Sequence, residues 1–201
     1  MSELQRWEDR YAAHGYLFGE APNAFLARQA TRLRPGWAAL SVGDGDGRNG
    51  VWLAEQGLVV HTVDFSPTAI AKAERLATQR GVAIRTECAD ILTWSWPHAA
   101  YDAVVAIFVQ FALPSERARM FQGMKQALKP GGLLLVEGYG SRQLEYATGG
   151  PKQLAQLYTP ELLRQAFGDM ASLDIEEYDA EIEEGERHKG MSALLDLVAI
   201  K

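Results

Sequence analysis

In residues 41–54, SVGDGDGRNGVWLA, three glycines stand at alternate positions (Gly43, Gly45, Gly47) with two aspartates, Asp44 and Asp46, between them. A short apolar run precedes the stretch and a helical pattern follows, so it reads as a strand-to-helix turn that lets a ligand approach the backbone closely. As a dinucleotide fingerprint, G-x-G-x-x-G, it supplies Gly43 and Gly45 but places Arg48 where the third glycine belongs. A carboxylate at Asp44 would repel a pyrophosphate and attract an ammonium or a sulfonium. About 20 residues on, Asp64 ends the next apolar run, where an acidic side chain can accept hydrogen bonds from both hydroxyls of a ribose. A nucleoside with cationic groups in place of phosphates fits this pattern, and S-adenosylmethionine is such a molecule.

These residues need a parallel sheet to position them. Ala38–Val42, Val59–Val63, Val82–Glu87, Ala103–Phe108 and Leu133–Glu137 are short apolar runs without in/out alternation, as expected for strands buried on both faces. Helices are predicted between most of them. One starts at Ser66-Pro67, and another over Glu116–Lys129 carries an apolar stripe and stops before Pro130-Gly131-Gly132. Such alternation implies helices on both faces of the sheet, since each parallel crossover normally carries one. Leu173–Glu181 and Ser192–Ile200 read as an antiparallel pair at one edge. The IEEGERHKGM segment between them reads most simply as a solvated turn. Two N-terminal segments, Glu3–Ala13 and Asn23–Leu33, have helical apolar spacing and are joined by HGYLFGEAPN.

With 201 residues and no repeat, one domain is expected: an N-terminal helical cap over 1–35 and a cofactor-binding core over 36–201, with an acceptor loop at about 139–154. The net charge of -6 weighs against nucleic acid as the routine partner. No apolar run is long enough to span a bilayer, and no secretory pattern opens the chain. The lone Cys88 leaves no intramolecular disulfide, which fits a reducing cytoplasm. The charge points to a small-molecule partner; monomer and homodimer both remain open.

The stretches SVGDGDGRNGVWLA, VDFS (63–66), CADI (88–91), YDAVVAIF (101–108) and LKPGGLLLVEGY (128–139) resemble, in order and spacing, a class I S-adenosylmethionine-dependent methyltransferase. The G-R-N after the glycines and the opening WEDRYAAHGYLFGEAPNAFL (7–26) resemble, more narrowly, the branch related to tellurite-resistance and thiopurine methyltransferases. The resemblance implies an α/β fold: a Rossmann-like three-layer α/β/α sandwich with a mostly parallel seven-stranded sheet whose last strand is antiparallel. It also implies that Gly43, Gly45 and Gly47 approach the methionine part, with Asp44 near its ammonium and Asp64 on the ribose. Asp90 would face the adenine amino group, Ile91 would pack on the ring and Ile107 would line the other side. Phe65 and Ser66 beside Asp64, and Ala89 beside Asp90, fall in the same cofactor segments. Arg48 would reach the cofactor carboxylate, with Asn49 beside it.

Bland roles stand beside these. Asp90 could simply cap a turn, Arg48 and Asn49 could be solvated first-turn residues, and Trp94 and Trp96 suit packing better than stacking. Methyl transfer from a sulfonium is an in-line displacement that gains chiefly from alignment in a dry pocket, so a base is optional when the acceptor is a thiolate or a chalcogen oxyanion. His14, Tyr139, Tyr146 and His188 are candidate bases by position alone. Tyr11, Tyr16 and Phe18 belong to a hinged aromatic cover or to a packed helix-to-helix link. Gln110 and Phe111 after the fourth strand, and Tyr139, Arg142, Gln143, Tyr146 and Lys152 after the fifth, are candidate acceptor-site residues. No metal site is expected, because His188 and scattered glutamates make a poor ligand set. Two rival readings remain: a non-catalytic S-adenosylmethionine-binding module, and an NAD(P)-dependent oxidoreductase, against which Asp44 and Arg48 count.

Overall fold

The computed structural model describes residues 2–13, 15–146, 148–185 and 188–201. Seven strands, β1 (Ala38–Val42), β2 (Val59–Asp64), β3 (Ile84–Cys88), β4 (Tyr101–Ile107), β5 (Leu128–Tyr139), β6 (Ser172–Glu184) and β7 (His188–Ile200), form one sheet in the order β3-β2-β1-β4-β5-β7-β6. β1 to β5 pair in parallel, and β7 runs antiparallel to both β5 and β6. The expected mostly parallel seven-stranded sheet with an antiparallel last strand is therefore the fold. Among the described residues seven α-helices accompany it: α1 (Glu3–Ala13), α2 (Ala24–Arg28), α3 (Arg48–Glu55), α4 (Pro67–Arg80), α5 (Pro114–Ala127), α6 (Gln143–Tyr146) and α7 (Pro160–Phe167).

Strand order reverses between β1 and β4, so their carboxyl ends diverge and open a crevice in which ligands of doubly wound sheets bind. Two apolar clusters fix these strands from opposite faces. Leu40, Val42, Val104 and Ala106 pack under Met120, Phe121 and Met124 of α5, while Ala39, Val105 and Leu135 face Phe25, Leu26 and Leu53. Alternate residues of each strand enter different clusters, which is why these strands lack polar alternation.

Local chemistry sets the helix starts. Ser66 Oγ accepts from Ala69 N–H (3.0 Å) as the N-cap of α4, ahead of Pro67. The same hydroxyl donates to Glu8, and Thr68 Oγ1–H donates to Glu8 Oε2 (2.7 Å), which ties α1 to the start of α4. The predicted second helix is shorter than its spacing suggests: α2 ends at Arg28 and a 3-10 turn covers Ala30–Arg32. The helix predicted to reach Lys129 ends at Ala127, because Leu128 already pairs with Tyr101 and the Pro-Gly-Gly segment forms an irregular start to β5. β6, the edge strand, carries seven acidic residues among its thirteen, which discourages pairing with another chain.

Candidate active site

A cleft of about 760 Å³, counted to its open mouth, lies at the switch point. Of the residues expected around a cofactor, Gly43, Asp44, Gly45, Arg48, Asn49, Asp64, Phe65, Ala89, Asp90, Ile91 and Ile107 line it. They come from the ends of β1, β2, β3 and β4, which the parallel topology brings to one side.

The acids are braced by backbone donors. Asp64 Oδ2 accepts from Gly45 N–H and Oδ1 from Ser66 N–H, both at 2.9 Å. A carboxylate has about four lone-pair sites, so two remain for a ligand. Asp44 Oδ1 accepts from Ser41 Oγ–H (2.7 Å) and, with Oδ2, from Gly50 N–H, bridging the end of β1 and the first turn of α3. Asp46 Oδ2 accepts from Leu17 N–H (2.7 Å), fastening the N-terminal link to the turn. Asp90 Oδ1 accepts from Leu92 N–H (2.9 Å); it caps a turn and lines the cleft as well. Gly45 has φ +61°, and an added Cβ would sit 2.6 Å from Tyr11 Oη, so the turn passes too close to α1 for any side chain.

Burial raises Asp44 to about 7 and Asp64 to about 6, and the charge of Asp46 pushes in the same direction at both. Each carboxyl binds a proton more readily folded than unfolded, so between about pH 4 and 7 both contribute apo-state stability that is lost as pH rises. His188 opposes them. Burial lowers it to about 3, so stability falls as pH drops below the ordinary imidazole range. A cationic ligand favours the ionised acids and releases their protons. Affinity for S-adenosylhomocysteine, through its ammonium, is therefore expected to rise about tenfold from pH 5.5 to 8, the equivalent of about one pK unit. Calorimetry in buffers of different ionisation heat checks this, and an affinity flat with pH would remove the acids from ligand binding.

Several expected site residues are elsewhere. Gly47 is the left-handed N-cap of α3, and a Cβ there would meet Ala73 of α4, so its role is helix packing. Ser66 is buried as the α4 cap. Tyr16 packs beside Val51 and Leu76, away from the cleft. Gln110 is a staple: its Nε2 donates to Tyr139 O (2.8 Å) and its Oε1 accepts from Tyr139 N–H (2.5 Å). Tyr139 is buried behind the cleft wall, its phenol raised by burial. Arg142, on the exposed side of β6, bonds Asp179 and Tyr146 Oη, and none of the described residues of 139–154 lines the cleft. His14 lies outside the described residues. Trp94 and Trp96 pack on each other, with Trp96 against Gly123 of α5.

Arg48 and Asn49 are buried, 4% and 6% exposed, and are not solvated first-turn residues. Asn49 Oδ1 accepts from Asn23 N–H (2.9 Å). Arg48 pairs with Glu184 (2.7 Å) and donates to Phe18 O (3.2 Å). Glu184 and His188 belong to the segment expected to be a solvated turn; both side chains are instead withdrawn from solvent, and His188 lines the cleft. Glu184 accepts from Asn23 Nδ2 and Ala24 N–H, and His188 packs on Phe18, Phe108 and Tyr139. Tyr11, Phe18 and Phe111 line the cleft, and so do Trp7, Phe108 and Val109, which only the general helix and strand patterning had marked.

The acidic glycine turn at the switch point, with acids ending β2 and following β3, sits in a doubly wound domain of the Rossmann-like class. Residues 39–132 match the family described as a methyltransferase domain. A protein-L-isoaspartate O-methyltransferase from Gloeobacter violaceus is 34% identical over 88 residues, 43% of this chain and 42% of that protein. The chain spans less than half the length of the curated relatives it matches. Among solved structures, TehB from Haemophilus influenzae superposes with a TM-score of 0.75 at 20% identity, covering 89% of this chain and 62% of that one. The N-methyltransferase NodS from Bradyrhizobium japonicum WM9, in complex with S-adenosyl-L-homocysteine, gives 0.73 at 17%, covering 98% and 97%. The chain is thus similar to methyltransferases over residues 39–132, just under half its length, and shares their fold. The family's methyl donor fits the residues present: buried acids suited to positive charge, and Asp64 with lone pairs to spare.

Proposed function

We propose that this chain transfers the methyl group of S-adenosylmethionine to a small-molecule acceptor. The carrying observation is the acid set of the cleft, Asp44, Asp64 and Asp90, held where a diphosphate would be repelled and a cationic nucleoside attracted. When bound, the cofactor supplies an electrophilic methyl carbon on a sulfonium. Asp64 would hold the ribose hydroxyls with Phe65 beside it, Asp44 would face the ammonium, Arg48 would reach the carboxylate, and Ile91 and Ile107 would flank the base. Tyr11, Trp7 and Phe18 cover the cleft and exclude water, which suits a displacement that depends on alignment more than on proton transfer. The tellurite-resistance and thiopurine resemblance brings in two acceptor types, a thiol and a chalcogen oxyanion.

Ligand-induced stabilisation tests the cofactor. S-adenosylhomocysteine at 100 times its Kd is expected to stabilise the fold by about 2.7 kcal/mol, and NADH not at all. Stabilisation by NADH alone would overturn the reading in favour of an oxidoreductase. Transfer of label from S-adenosylmethionine to any member of an acceptor panel separates an enzyme from a binding module.

A further inference from the structure

With the residues that follow the strand ends given to the nucleoside, the rest of the cleft wall is aromatic apart from Val109. Trp7 and Phe18 have ring centroids 6.4 Å apart, and His188 lies 4.4 Å from Phe18 and 4.3 Å from Phe108. Phe108 has φ +56°, a left-handed conformation costly for a bulky side chain. Its backbone N–H is held by Glu137 O at 2.8 Å, and the ring is thereby packed on His188 and Tyr139. Strain of this kind is kept where the surroundings over-determine the position of a side chain.

Charge in the cleft as a whole is one-sided. Among the described residues lining the cleft, Asp44, Asp64 and Asp90 are acids and Arg48 is the one arginine or lysine. Its guanidinium is already held by Glu184 and by the Phe18 carbonyl. Burial keeps the His188 imidazole neutral, so it adds no counter-charge. An anion entering here would lose its hydration and meet carboxylates, while Arg48 is committed to Glu184 and the Arg10 guanidinium is stacked 4.8 Å over the Trp7 ring. An apolar body would instead contact ring faces, and sulfur makes favourable contacts with aromatic edges.

Resting on the methyltransferase reading, we propose that the acceptor is an uncharged, largely apolar lone-pair nucleophile, a thiol or a weakly basic amine, received in the cleft against the wall that Trp7, Phe18, Phe108 and His188 form, and that oxyanions are excluded. In the transfer, the acceptor's sulfur or nitrogen lone pair forms the bond to the methyl carbon. The bond from that carbon to the sulfonium breaks with its electron pair left on sulfur, and the acceptor's proton is lost to bulk water as the product leaves the cleft.

The test uses the full chain saturated with S-adenosylhomocysteine, and this uptake is measured first. No uptake would remove the methyltransferase reading and this inference with it. On the saturated protein, Kd is then measured for benzyl mercaptan, aniline, 4-(mercaptomethyl)benzoate and selenite. Benzyl mercaptan or aniline is expected to bind at least tenfold more tightly than the carboxylated thiol and selenite; the tighter of the two assigns the reacting atom to sulfur or nitrogen. Equal or tighter binding of either anion, or no binding of the neutral pair, overturns the proposal while leaving the cofactor reading intact. Trp7→Lys, on the partly exposed face of α1, places a cation at the chamber and is expected to shrink the neutral-to-anion ratio at least fivefold. An unchanged ratio counts against placing the acceptor there.

Discussion

Arg48→Met is expected to destabilise the fold by about 3–5 kcal/mol, the cost of leaving a buried charge without its partner. The two side chains of the pair are 5% and 11% exposed, so solvent screens little of the loss. Glu184 would keep only neutral donors, Asn23 Nδ2 and Ala24 N–H. It would also stand near Glu137, whose carboxyl is pushed well up by burial and by the charges of Asp196 and Glu184. The neutral form of Glu137 is thereby favoured, while Arg28 Nη2 (2.8 Å) and Tyr178 Oη (3.1 Å) contact Asp196. Three carboxyls with two arginines make a balanced set, and removing Arg48 unbalances it. Adding Glu184→Gln to Arg48→Met is expected to recover most of the loss, and denaturant melts of the four proteins in the double-mutant cycle measure the coupling. Additive losses would mean that the pair is not an energetic unit.

This pair also marks the limit of what the sequence discloses. That Gly43–Asp44–Gly45, Asp64 and Asp90 meet in one cleft was legible because each follows a predicted strand. The rule that parallel strands place their carboxyl ends together does the rest. The roof was not. Glu184 meets Arg48, Ala24 and Asn23 across 136, 160 and 161 residues of chain, and EEGERHK has the local composition of a solvated turn. Arg142 and Tyr146 failed for the converse reason: a polar loop after the fifth strand looks like an acceptor wall, but Asp179 on β6 draws Arg142 outward. β5 begins earlier than its apolar run because backbone pairing of Leu128 with Tyr101 is indifferent to the prolines and glycines that follow. Where a role depended on strand order, the residues announced it; where it depended on a distant partner, they did not.

Asp64 separates binding from stability most sharply. Replacing it with alanine is expected to weaken S-adenosylhomocysteine binding by about 1.5–3 kcal/mol, the scale of hydrogen bonds to a charged group. Its burial and its value of about 6, against an ordinary 3.8, mean that the ionised carboxyl costs the apo fold on the order of 2–3 kcal/mol at pH 8. Asp64→Asn removes that charge but keeps only one acceptor for the Gly45 and Ser66 N–H groups, so the two effects roughly cancel in apo stability. Binding has no such compensation. The asparagine variant is expected to melt within about 1 kcal/mol of the parent at pH 8 while binding about tenfold more weakly, since a neutral amide offers the ribose hydroxyls a poorer acceptor. Calorimetry and thermal melts on the same samples read both quantities. A variant that lost stability and affinity in proportion would make Asp64 a brace for the glycine turn and nothing more. Affinity unchanged in both variants would take the ribose away from Asp64. Affinity lost at constant stability has one physical source: a charge kept in the fold at the fold's own expense because the ligand needs it.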